Sequence, residues 1–206
     1  MSHLTVARTS PWLGLAFAAV AFFGGAQTAV AQKLPAYTAK AGMLNVGPDA
    51  ERPDAEIFHV SYVAKSADPA KRPVTFVFNG GPGASSAYLH LTAIGPKTLA
   101  TTGDGSFPSV PARLEDNPDS WLAFTDLVFI DPMGTGYSRM LPGADGKPGD
   151  PQSYYSVERD VNFFAGFIRK WLTVNKRWAS PKAIAGESPS IRSTLGLASL
   201  PTNCRA

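Results

Sequence analysis

Three short apolar runs, each stopped by a loop rich in turn residues, constrain this chain more than any other feature. "PVTFVF" (73–78) runs into "NGGPGASS", "DLVFID" (126–131) into "PMGTGYS", and "KAIAGE" (182–187) into Ser188. Short continuous apolar runs, β-branched and aromatic in the first, suit strands covered on both faces, as in parallel sheets. Between the second and third runs, apolar residues at 157, 161, 164, 168, 171 and 172 keep helical spacing, so a helix is expected over 157–178. Glu158 and Asp160 near its start, and Arg169, Lys170, Lys176 and Arg177 near its end, match the helix dipole. Strands interleaved with helical segments predict an α/β fold, a mainly parallel sheet with flanking helices. Reactive groups in such sheets collect beyond the carboxyl ends of the strands. The three loops are therefore expected to meet at one site.

Other stretches add detail. "FHVSYVA" (58–64) alternates with period two, which predicts a half-buried strand with Phe58, Val60 and Tyr62 inward and His59 and Ser61 on the polar face. Residues 85–94 suit a short helix. The segment that follows, to about residue 118, reads as loop, because "TTGDGSFPSVPARLEDNP" holds three prolines and two glycines. Residues 32–55, polar and rich in Ala, Pro and Gly, form an N-terminal lead-in segment with no evident element.

The chain has 206 residues, 44% of them hydrophobic and 17% charged, which fits one globular domain with its own core. A net charge of +3 without a basic stripe argues against a nucleic-acid partner. Cys204 is the only cysteine, so no disulfide closes within the sequence. No metal or organic cofactor motif is present, and nothing specifies an oligomeric state. The N-terminus carries "PWLGLAFAAVAFFGG" after Arg8 and then Ala29-Val30-Ala31. That apolar run is short for a span of about 20 residues, and the small residues predict signal-peptide cleavage before Gln32. The expected organisation is a signal peptide at 1–31, the lead-in segment at 32–55 and a hydrolase-like domain at 56–206. The product is expected to be exported, periplasmic or secreted, without stable membrane association once cleaved.

Gly80 and Gly81, in the loop after Phe78, let the backbone approach a ligand closely and turn amides toward it. Ser188 follows a strand and Gly186, as the nucleophile elbow of an α/β-hydrolase requires. "FVFNGGPGASSAYLHLTAIGP", "DNPDSWLAFTDLVFIDPMGTGYS" and "IAGES" together resemble the serine carboxypeptidase family of α/β-hydrolases. That family carries N-G-G-P-G-x-S-S, E-x-G-P, N-x-x-S-W with D-x-P-x-G-x-G-[FY]-S, and G-E-S-Y-[AG]-G, in the same order. The resemblance implies that Ser188 is the nucleophile and that the Gly81 amide is an oxyanion donor. It implies that Asn79, Gly80 and Glu187 hold the terminal carboxylate of a peptide or small acyl substrate. Trp121 and the 131–138 loop, with Tyr137, match the pocket-forming segment. The activity implied is release of C-terminal residues through an acyl-enzyme, with acyl transfer as a variant on the same scaffold.

Three departures stand beside the resemblance. Ala93 occupies the place of the E-x-G-P glutamate, leaving Glu187 without that carboxyl partner. Pro189 replaces the residue whose backbone N–H should be the second oxyanion donor, and proline has none. Loss of one such donor costs on the order of 10²–10³ in turnover. Pro189 also biases Ser188 toward extended backbone, and Ser190 replaces the glycine that lets the next helix pack closely. Finally, triad order in this fold is Ser, then Asp or Glu, then His. The 18 residues after Ser188 contain none of these, and His3, His59 and His90 all precede it. The expectation is a domain truncated just after the nucleophile motif by a shifted or prematurely ended frame, catalytically incomplete as given. The alternative is a secreted non-catalytic protein that binds peptide carboxylates.

Overall fold

The computed structural model describes residues 33–187 apart from 48–52, 66–67, 81–82, 103, 107–110, 144, 148 and 151–155. The predicted signal peptide, Gly81, Ser188, Pro189 and all later residues lie outside that set. Eight strands are described: β1 (Tyr37–Val46), β2 (Ala55–Ala64), β3 (Val74–Phe78), β4 (Lys97–Leu99), β5 (Leu114–Asp116), β6 (Asp126–Ile130), β7 (Arg139–Met140) and β8 (Lys182–Gly186). One long helix, α1 (Val157–Val174), accompanies them, with a π-helix at Leu89–Ile94 and a 3₁₀ turn at Trp121–Ala123. The main sheet runs β1-β2-β6-β3-β8, with β7 paired to β2. Its β6-β3-β8 half is parallel, and β1, β2 and β7 extend it antiparallel. The α/β class expected from the sequence is the class observed, in a mixed sheet.

β3 and β6 are buried along their whole length because both faces are covered. Val74, Phe76 and Phe78 of β3, with Val128 and Ile130 of β6, point into one cluster with Phe163, Phe164, Phe167, Trp171 and Leu172 of α1. Those α1 positions recur at three and four residues, giving the helix one apolar stripe to lay on the sheet. Phe78 stacks on Phe164 at 4.0 Å, and Phe76 meets Trp171 edge-on at 5.4 Å. The alternate residues Val77, Leu127 and Phe129 face the opposite side, packing with Leu122, Leu89 and Ile94. Ser156 caps α1, its hydroxyl accepting from the Arg159 N–H at 3.3 Å.

Three readings change. Residues 37–46, inside the expected lead-in segment, form β1 and pair with β2 over ten residues. The inward face of β2 is inverted: Ile57, His59 and Ser61 are buried, while Phe58, Val60 and Tyr62 are only partly so. α1 covers the first set, with the His59 ring edge-on to Phe167 at 5.3 Å. Gly42 on β1 lies against that imidazole, where even a Cβ would make only an ordinary contact, 3.4 Å from His59 Cε1. β8 is the outer strand among the described residues, the edge position expected of a chain cut short after it, but Lys182 and Ala183, read as part of a buried run, are exposed.

At the amino end of the parallel strands lies a buried ionic cluster. Asp126 receives Arg72 Nε at 2.8 Å and the Ala64 N–H at 2.9 Å on one oxygen, and Arg177 Nη1 at 2.7 Å on the other. Arg177 also donates to Ser180 Oγ and to the Arg72 carbonyl. The guanidinium assigned to the helix dipole thus ties the turn after α1 to β6.

Candidate active site

The carboxyl ends of β6, β3 and β8 lie side by side. Register pairs Val77 with Phe129 and Phe78 with Gly186. Asp131, Asn79 and Glu187 therefore leave the sheet level with one another, on strands spaced about 4.8 Å apart. The register brings Asn79, Gly80, Glu187 and the 131–138 loop to one edge of the sheet, while Gly81 and Ser188 lie outside the described residues.

Asn79 is buried, and its side-chain oxygen has no hydrogen-bond partner among the described residues. Such an orphaned acceptor is costly unless a ligand or water satisfies it. The backbone beneath it is held firmly. The Asn79 N–H donates to Ser86 Oγ at 3.2 Å, and that hydroxyl donates in turn to the Ile130 carbonyl at the end of β6. The Ser86 N–H donates to Asp131 Oδ1 at 2.9 Å.

Asp131 is the centre of this arrangement. Its N–H donates to the Phe58 carbonyl at 3.1 Å, and its carbonyl accepts from Ser138 Oγ at 2.9 Å. Burial pushes its carboxyl above the usual carboxylate range, and the Ser86 and Tyr137 N–H groups pull it partly back. Gly136 adopts φ +52°, and a Cβ there would sit 1.8 Å from Asp131 Oδ2. Glycine at 136 is thus required twice, by conformation and by space. The sequence reading placed the 131–138 loop here but did not single out Asp131 or Ser86.

Tyr137 stands at the rim, 68% exposed, its ring 5.0 Å from Phe58. The Trp121 backbone lies before β6, in the turn whose Leu122 carbonyl accepts from Arg72 Nη2 at the amino end of the strands. Its neighbours in "DNPDSW" have a visible structural use: Asn117 Nδ2 donates to the Ala93 and Gly95 carbonyls at 2.7 and 2.8 Å, and Ser120 Oγ to Ile94 at 3.0 Å. They fasten the end of the π-helix that begins beside the site.

His90, on that helix, does not turn to the site as a base. Its Nε2 is 2.6 Å from Tyr62 OH, and its ring stacks on Phe129 at 4.5 Å. Burial lowers its pKa to about 4. Buried His59, on the α1 side, is likewise lowered to about 4 by burial and by the Lys40 charge.

The model of the family described as serine carboxypeptidase matches residues 30–190. The chain belongs to the serine carboxypeptidase family. It is 36% identical over 88 residues to pheromone-processing carboxypeptidase KEX1 of Puccinia graminis f. sp. tritici, covering 42% of this chain and 12% of that one. It is 33% identical over 130 residues to serine carboxypeptidase 1 of Hordeum vulgare, 62% of this chain and 24% of that one. With the lysosomal protective protein of Mus musculus it shares 35% over 86 residues, 41% of this chain and 16% of the relative. The matched stretch thus spans 12–24% of these relatives' own length. Among the described residues, no helix is long and apolar enough to cross a membrane. In this member of the family Asn79 and Glu187 leave neighbouring strands, and a hydrogen-bond chain from Asp131 through Ser86 joins the D-x-P loop to Asn79.

Proposed function

We propose that this chain carries the nucleophile side and the carboxylate-binding side of a serine-type carboxypeptidase. Ser188, one residue beyond Glu187, is the nucleophile, and the Gly81 amide, two residues beyond Asn79, donates to the oxyanion. Asn79, Gly80 and Glu187 hold the C-terminal carboxylate of a peptide, with Tyr137 at the rim. The observation that carries this reading is the register placing Asn79 and Glu187 level on adjacent parallel strands, β3 and β8. An exported location, after signal cleavage before Gln32, belongs to the same proposal.

The second oxyanion donor is missing from these motifs, because Pro189 has no backbone N–H. His90 is engaged with Tyr62 and does not stand in as the base. These departures also support a second reading, a non-catalytic peptide-carboxylate-binding protein, which suits equally an Asn79 oxygen without a partner among the described residues.

Labelling with a fluorophosphonate, against a Ser188→Ala control, tests the activity. No labelling above the control is expected of the 206-residue chain, and Ser188-dependent labelling would show a live site. Binding of an N-acetyl dipeptide without labelling would favour the second reading.

A further inference from the structure

Asp131 and Ser86 are joined to Asn79 by an unbroken path of hydrogen bonds between two loops that are 45 residues apart in sequence. The Asp131 carboxylate accepts the Ser86 N–H, and Ser86 Oγ accepts the Asn79 N–H while spending its own proton on the Ile130 carbonyl. Every polar group of Ser86 in this path faces a named partner, and both residues are buried, Ser86 at 2% and Asp131 at 7% exposure. The path ends on the backbone N–H of the residue that opens the glycine loop. Neither side chain is aimed outward, so neither has an evident role of its own toward a substrate.

We propose that Asp131 and Ser86 are positioning residues that fix the Asn79-Gly80 backbone at the angle needed to receive a substrate carboxylate. The inference rests on reading that loop as the carboxylate site. A carboxylate serves here where an amide does not, because at least two backbone N–H groups, of Ser86 and Tyr137, converge on it. Asparagine would turn an NH₂ toward one of those donors. A hydrogen bond to a charged acceptor is also about twice as strong as a neutral one. Ser86 Oγ must both donate and accept, which alanine cannot do.

The test uses the full chain with Asp131→Asn, Ser86→Ala and the double variant, read in two ways. One is the backbone amide resonances of Asn79 and Gly80, with those of α1 as the control for folding. The other is affinity for an N-acetyl dipeptide against its C-terminal amide. Each single variant is expected to move the Asn79 and Gly80 resonances, leave α1 in place, and weaken acid binding about tenfold while sparing the amide. The double variant should lose little more than the worse single one, as members of one path do. The proposal is overturned if Asp131→Asn shifts only Ser86 and Tyr137, or if the two losses simply add. If Asp131→Asn does not fold, Ser86→Ala carries both readouts, cutting the path one bond nearer Asn79. A wild-type chain with no preference for the acid would refute the carboxylate-site reading, while the resonance shifts still decide whether Asp131 positions the loop.

Discussion

Removing the Asp126 carboxylate should be the most damaging single change in the described structure. Asp126 is fully buried, and its two oxygens accept from Arg72 Nε, Arg177 Nη1 and the Ala64 N–H, all within 2.9 Å. Arg177 is itself only 4% exposed. Alanine at 126 therefore strands a buried guanidinium without an anion and leaves a strand N–H unpaired. Removing one partner of a buried pair costs about 3–5 kcal/mol. For a domain of this size a kilocalorie shifts Tm by roughly 2–4 °C, so a fall of roughly 6–20 °C is expected. Asp126→Asn keeps the shape and an acceptor and should fall in between. Thermal unfolding of the mature chain followed by circular dichroism measures all three. An Asp126→Ala protein melting within about 2 °C of wild type would show that water or rearrangement satisfies Arg177 cheaply, and the argument from burial would fail.

Further outcomes follow from individual contacts. Gly136→Ala drives a Cβ into Asp131 Oδ2 at positive φ, so it should cost about 2 kcal/mol or more and disturb dipeptide binding together with stability. Tyr62→Phe deletes the 2.6 Å contact to His90 and should cost about 1 kcal/mol in a urea titration. His59 and His90, each lowered to about 4, are neutral in the fold while the unfolded chain protonates them near 6.5. Stability from these two is accordingly undiminished above pH 6.5 and lost as pH falls from there toward 4, and His90→Gln should flatten that slope. N-terminal sequencing of the exported product should begin at Gln32, and an intact Met1 on exported protein would refute the cleavage reading.

The elements that could be read from sequence are those whose residues announce their own environment. β3 and β6 are uninterrupted apolar runs, and α1 repeats its large residues at helical spacing, so burial on two faces or one stripe was evident. β1 was not, because "YTAKAGMLNV" mixes small and polar residues that gain a strand only by pairing with β2. The inward face of β2 was misjudged for a related reason. Alternation says that two faces differ, and polarity alone suggested which was inside; the packing of α1 on His59 reverses it. At the site, Asn79 and Glu187 were legible from motifs that end strands. Asp131 and Ser86 were not, since their partnership exists only once β3 and β6 lie adjacent.

The most direct measurement is calorimetric titration of the mature chain with an N-acetyl dipeptide and with the same dipeptide amidated. A carboxylate pocket made by Asn79, Gly80 and Glu187 predicts tighter binding of the free acid by about tenfold or more, abolished in Asn79→Ala, since charged hydrogen bonds are at stake. Equal affinity for acid and amide, or a preference that survives Asn79→Ala, would contradict the placement of substrate at the ends of these strands.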